Sequence, residues 1–234
     1  PCDLKELNAI ASGYGVKLIE DACHAFGATY HGKPIGSISD FTCFSFQAIK
    51  EITTIDGGSL VCKSRNDYER GRLLRWYGID RKKNRRDFRC ESDITESGYK
   101  FHMNDVAATI GIEQLKYVRD NLAKNCRNAA QYNNAFSFLV NASPLRHEKD
   151  RQSSYWLYTL RVKRLSVFRD LMKKAKIVAS QVHARNDKHA IFKDFLSDLP
   201  GVDEFVSRQV CIPVGWWLTH KEVSHIIDTV VSYR

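Results

Sequence analysis

A carboxylate, a hydroxyl and an amine occur in quick succession in this chain, each at or just past the end of an apolar run. Asp21 closes Val16-Lys17-Leu18-Ile19-Glu20-Asp21, Ser45 lies near the end of Phe41-Thr42-Cys43-Phe44-Ser45-Phe46, and Lys50 follows in the next loop. Together they suit amine chemistry. A lysine side chain can exchange with another amine through an imine. A carboxylate against a pyridine nitrogen keeps that ring protonated and a better electron sink, and a hydroxyl can hold a phosphate. Each residue also has a plain structural reading, with Asp21 as a helix cap, Ser45 as a strand hydroxyl and Lys50 as a surface lysine. Spacing alone leaves both readings open.

To meet, these groups need a sheet that delivers the carboxyl ends of its strands to one edge. Residues 3–14 read as a helix, with Asp3 as N-cap, Leu4, Leu7, Ile10 and Ala11 on one face, and Gly13 and Gly15 as stops. Val16–Ile19 reads as a buried parallel strand that presents Glu20 and Asp21 at its end, and 41–46 and 58–62 read as two more. Helices are expected over 66–77 and 104–135, the second broken near Lys124, with Val106, Ile110, Leu115, Val118 and Leu122 at helical spacing. Beyond Ser153 the pattern predicts a strand over 155–162, a helix over 168–175, strands over 177–182 and 210–214, and a closing helix over 221–231. The alternation predicts an α/β domain over residues 1–145 and a small α+β domain over 146–234.

Hydrophobic content of 43% and charged content of 27% place the chain among globular proteins and exclude a disordered or fibrous one. No run of eighteen apolar residues is present, so no membrane association is expected. The seven cysteines include no C-x-x-C pair and read as reduced thiols of a cytoplasmic protein, with no disulfide or metal framework. The net charge of +9 favours an anionic partner. The basic run Arg81–Arg89 reads as a solvated loop; it has no nucleic-acid reader module around it, so nucleic acid is not expected as a partner. A phosphorylated substrate or cofactor also suits the excess of Lys and Arg.

Two segments resemble the hallmark motifs of the DegT/DnrJ/EryC1/StrS sugar aminotransferases: Ile19-Glu20-Asp21-Ala22-Cys23-His24-Ala25-Phe26-Gly27-Ala28, and Cys43 to Gly58 around Lys50. The likeness continues through Arg72–Gly78 and Gly98–Asp105. It covers most of residues 1–125 and, more weakly, the C-terminal part. The resemblance implies a partial large domain of the fold-type-I class, with a mostly parallel sheet, followed by the small domain. It implies pyridoxal 5'-phosphate as cofactor, a nucleotide-linked keto-deoxysugar as substrate, an amino acid such as glutamate as donor, and a homodimer with shared sites.

Carried over position by position, the resemblance makes Lys50 the residue that binds the cofactor aldehyde and then shuttles a proton. Asp21 would bind the ring nitrogen, Cys23 would lie against a ring face, and Ser45 would donate to the phosphate. His24 would reach the ring hydroxyl, or else is a hydrogen-bonded core histidine. Lys100 stands where the family commonly has asparagine and would reach the phosphate of a partner subunit's cofactor, or else is a surface residue. His102, where arginine is frequent, is left unassigned. His183 and Arg185 are candidates for a sugar diphosphate, His183 also reading as a structural strand-end residue. Trp216 and Trp217 read as core packing ahead of a stacking platform. The family's N-terminal segment, with its phosphate-binding turn, has no counterpart ahead of Pro1, so the sequence reads as a fragment or truncated product with little activity alone. The alternative function is a non-catalytic remnant or partner subunit of such an enzyme.

Overall fold

The structure, a computed structural model, describes residues 1–83 and 93–233. Residues 84–89 of the basic run therefore lie outside the described residues. Two compact units make up the chain: residues 1–119 with 149–153, and residues 120–148 with 154–234.

The first unit holds, in chain order, α1 (Leu4–Gly13), β1 (Ile19–Asp21), β2 (Thr29–Tyr30), β3 (Lys33–Pro34), β4 (Phe41–Ser45), β5 (Gly58–Cys62), α2 (Arg65–Leu74) and α3 (Asp105–Leu115). Asp3 caps α1 as expected, its carboxylate accepting the Glu6 N–H at 3.1 Å. β1, β4 and β5 form one sheet in the order β1-β4-β5. β1 and β4 run parallel, with Asp21 opposite Cys43; β4 and β5 run antiparallel, with Ser45 opposite Gly58. The chain returns beside β4 through residues 46–57, the segment that carries Lys50. β1 starts at Ile19 because the backbone before it is already engaged. The Val16 N–H goes to Ala11 O at the end of α1, and the Leu18 N–H goes to the Asp40 carboxylate. A small core of Leu4, Ala22, Ala28, Tyr30, Ile35 and Phe44 holds α1 to this part.

The long expected helix breaks earlier than Lys124. The Lys116 and Tyr117 N–H groups bond three residues back, to Glu113 O and Gln114 O, and this tightened turn ends α3 before α4 (Val118–Phe136) begins. After β6 (Ala142–Pro144), β7 (Arg151–Gln152) returns to the first unit and pairs with β2.

The second unit then continues with β8 (Tyr158–Val162), α5 (Leu165–Lys174), α6 (Pro200–Arg208), β9 (Gln209–Ile212) and α7 (His220–Val231). Its antiparallel sheet β6-β8-β9 alternates along β8, where Tyr158, Leu160 and Val162 are buried. They pack with Tyr132 and Phe136 of α4, Phe168 and Met172 of α5, and Val223, Ile226 and Val230 of α7. β8 starts at Tyr158 and not at Tyr155, whose φ of +56° is left-handed and unsuited to a strand. The expected strand over 177–182 is reduced to a bridge between Ser180 and Cys211, and α6, starting on Pro200, has no counterpart among the expected elements.

Candidate active site

The parallel pairing of β1 with β4 places Asp21 and Ser45 at the same end of the sheet, and Lys50 lies in the connection that leaves it. The Cys23 N–H donates to Asp21 Oδ1 at 3.1 Å. Hydrogen bonding from Cys23, first from its side chain and then from its backbone, holds the Asp21 carboxyl below its ordinary range, with His24 and Lys50 adding to the effect. The site therefore presents an ionised carboxylate at neutral pH. Burial pushes the Cys23 thiol up to about 11, and the neighbouring Asp21 charge works in the same direction. Burial lowers Lys50, against the opposing pull of Cys23, Glu51 and Asp21. The Ser45 hydroxyl oxygen accepts the Gln47 N–H at 3.3 Å, which leaves its own proton to donate. His24 is exposed, near enough to Asp21 to act on its charge.

Lys50 sits on a loop bonded tightly to itself. Its N–H donates to Gln47 O at 3.0 Å, the Thr54 N–H to Phe46 O at 2.8 Å, and the Phe46 N–H to Gly57 O at 2.8 Å. Thr54 is buried, and its hydroxyl donates to Asp56 O at 2.8 Å. The loop rests on α3 at Gly111, where an added Cβ would fall 2.8 Å from Thr54 Cγ2. Next to Lys50, Glu51 is only 5% exposed, and neither carboxylate oxygen has a hydrogen-bond partner among the described residues. Nothing in the sequence pointed to the burial of Glu51.

Two of the motif segments meet in space. The stretch around Lys100 lies along the end of α2, with Tyr77 N–H donating to Tyr99 O and Phe101 N–H to Arg75 O, both at 3.0 Å. The approach requires glycine at position 98, where a Cβ would sit 2.1 Å from the Gly78 nitrogen. Lys100 itself is exposed. His102 lies against Trp76 with ring centroids 3.6 Å apart and the planes tilted by 44°, and Arg81 covers Trp76 at 4.2 Å. Burial, then the charges of Lys100 and Arg81, lower the His102 imidazole.

In the second unit His183 is exposed, and its carbonyl accepts from the buried Gln209 amide. Arg185 is 7% exposed and makes four hydrogen bonds: two to Asp187, one to Asp203 and one to Ser197 O. This guanidinium is a clasp within its own unit, a bonding pattern that sequence could not reveal. Trp216 and Trp217 are 41% and 60% exposed, with ring centroids 6.0 Å apart, so the expectation that they pack in the core is corrected. Among the described residues no cluster of three or more His, Cys, Asp or Glu could hold a metal, and no helix is long and apolar enough to cross a membrane.

Comparison with known proteins agrees with this geometry. The sequence profile described as the DegT/DnrJ/EryC1/StrS aminotransferase family matches residues 1–231. The chain is 30% identical to a UDP-4-amino-4,6-dideoxy-N-acetyl-beta-L-altrosamine transaminase of Campylobacter jejuni, over 98% of this chain and 62% of that protein. The solved sugar aminotransferase CalS13 of Micromonospora echinospora superposes with a TM-score of 0.93 at 35% identity, covering 100% of this chain and 64% of the other. A Streptococcus pneumoniae protein solved in PLP and PMP forms is similar at TM-score 0.84 and 26% identity, over 99% of this chain and 65% of that one. The chain thus spans about three-fifths of the length of the curated relatives it matches most fully.

Proposed function

This chain belongs to the DegT/DnrJ/EryC1/StrS aminotransferase family, and we propose that the whole protein moves an amino group from an amino acid, glutamate first among donors, to the keto carbon of a nucleotide-linked deoxysugar. We assign it pyridoxal 5'-phosphate as cofactor and a cytoplasmic homodimer as its working form. The observation that carries this reading is the convergence of Asp21, Ser45 and the Lys50 loop at one end of the β1–β4 pair. The donor set fits the cofactor: an amine, a carboxylate kept ionised, and a hydroxyl with a proton to give.

When bound, pyridoxal phosphate supplies an aldehyde that exchanges amino groups and a ring that takes up the electron pair released at the substrate carbon. The Lys50 amine would hold that aldehyde, and its Nζ, when free, would carry a proton at the reacting carbon. Partial burial favours the neutral amine that this task needs. The Asp21 carboxylate binds the ring nitrogen and keeps it protonated. Cys23, neutral because its thiol is pushed up to about 11, offers an uncharged surface to the ring face. His24 serves the ring hydroxyl, Ser45 donates to the phosphate, and Lys100 supplies a full charge to the phosphate in a partner subunit. His183 faces the sugar diphosphate, with Arg185 holding the segment that carries it through Asp187, Asp203 and Ser197.

The test uses the full-length protein with pyridoxal phosphate, glutamate and a panel of nucleotide-linked 4-keto and 3-keto deoxysugars. Release of 2-oxoglutarate matched by a new aminated sugar in the mass spectrum supports the reading. Glutamate turnover without any aminated sugar would overturn the substrate class.

A further inference from the structure

The second unit carries a basic groove that takes no part in the mechanism above. It has a volume of about 560 Å³ and is lined by Ser166, Arg169, Asp170 and Lys173 of α5 and by the segment Lys176–Ala179. The four α5 residues recur at helical spacing, on a face apart from the buried Phe168 and Met172. Among the described residues Arg169, Asp170, Lys173 and Lys176 make no ion pair. The helix dipole accounts for lysines in the last turn of α5, but not for Arg169, which lies in mid-helix. Lys176 occupies the left-handed turn after α5 with a φ of +59°, where glycine is the less costly residue. The other wall is an open sheet edge. Ser180 exchanges both backbone bonds with Cys211 of β9, at 3.1 and 2.8 Å, so the Ala179 N–H and C=O point away from β9. Neither Val178 nor Ala179 has a backbone hydrogen bond among the described residues, and Val178 is 77% exposed.

We propose that this groove is a docking site for an extended acidic segment of another protein, which adds as a strand beside Lys176–Ala179 and lays its carboxylates against Arg169, Lys173 and Lys176. The spacing fits. Arg169 and Lys173 are one helical turn apart, about 6 Å along α5, and alternate residues of a strand are roughly 6.4–6.8 Å apart. Acidic residues at alternate positions therefore meet successive cations. A strand also brings both the acceptor and the donor that the Ala179 N–H and C=O need. A phosphodiester backbone brings no donor, and the Asp170 carboxylate in the groove would repel it. The same edge of a second copy would bring the same three cations, so like charges oppose self-pairing. The groove lies outside the residues assigned to pyridoxal phosphate and stands apart from the transaminase reading.

The test uses the full-length protein and a fluorescent, terminally blocked heptapeptide in which three glutamates alternate with valine and threonine. Anisotropy should show binding that weakens as salt rises, and hydrogen–deuterium exchange over residues 176–180 should slow when the peptide is bound. An exposed ion pair is worth roughly 1.5- to 5-fold in affinity, so the double variant Arg169→Gln/Lys173→Gln should bind the peptide roughly tenfold more weakly. Both substituted residues are exposed, so circular dichroism of the variant should match the native protein. A peptide with glutamine in place of its glutamates should lose at least as much affinity for the native protein, which keeps the test decisive if the variant does not fold. No binding at millimolar peptide would overturn the proposal, as would equal affinity for the native protein and a folded double variant. Binding that leaves exchange over 176–180 unaltered would overturn the strand pairing, and so would equal binding of a peptide whose backbone amides are N-methylated. Single-stranded RNA that slows the same exchange and displaces the peptide at lower concentration would overturn the choice of an acidic peptide.

Discussion

Replacing Gly111 with alanine sets two opposed effects against each other at the back of the Lys50 loop. Inside α3 the change favours the helix by about 1 kcal/mol, because alanine loses less backbone freedom than glycine on folding. The new methyl, however, falls 2.8 Å from Thr54 Cγ2. Thr54 is only 3% exposed, and its hydroxyl is bonded to Asp56 O at 2.8 Å. Rotating the threonine away breaks that bond; translating it drags the loop that carries Lys50. Overpacking of this kind costs about 1–3 kcal/mol. The net for Gly111→Ala is then between neutral and a loss of about 2 kcal/mol. Gly71 provides the control, being helical in α2 with nothing within 4 Å of an added Cβ. Gly71→Ala should gain up to about 1 kcal/mol, so the two variants should differ by roughly 1–3 kcal/mol in equilibrium urea unfolding. Titration of pyridoxal phosphate should also show weaker binding for Gly111→Ala alone. Equal stabilisation by both substitutions would refute the claim that α3 clamps the lysine loop.

Other outcomes follow from the same physical chemistry. At mildly alkaline pH, iodoacetamide should alkylate the exposed Cys2 well before Cys23, whose thiol is pushed up to about 11; equal rates by peptide mass spectrometry would contradict the environment assigned to Cys23. The Arg185 clasp predicts a particular acid response. Asp187 is drawn down from 3.8 to about 2, first by its hydrogen bonds from Arg185. A depressed folded pKa means that its stabilisation is complete above 3.8 and is lost as pH falls through about 2. The urea midpoint of the second unit should therefore decline over that window in the native protein, and Asp187→Asn should be less stable above it with a flatter acid limb. An identical acid limb in the variant would rule out the clasp.

Much of the framework around the site was legible because its signals are local. The strand ends at Asp21 and Ser45 and the loop at Lys50 follow short apolar runs, although spacing alone left their roles open and only the resemblance assigned them, and α1, β4, β5 and α7 fall close to where periodicity puts them. What escaped depends on contacts between distant residues. Glu51 looks like any acidic residue after a lysine, yet it is buried, and Thr54 in the same loop meets Gly111, some 57 positions on. Arg185 looks like a phosphate ligand until Asp203 and Ser197 close on it. The tryptophan pair has the composition of a core, yet both rings are partly exposed, with Trp217 lying over Gly215. β1 is short because a helix end and Asp40 take the hydrogen bonds that an apolar run was expected to give to a sheet.

The most direct test of the central claim concerns the lysine. Pyridoxal phosphate is added to the full-length protein and to its Lys50→Ala variant, and the visible absorption band of the lysine-bound cofactor is recorded, followed by borohydride reduction and peptide mapping. The expected result is a band in the native protein, its loss in Lys50→Ala, and a reduced cofactor adduct on the peptide containing Lys50. A band that survives the substitution, or an adduct mapped to another lysine, would contradict the role given to Lys50.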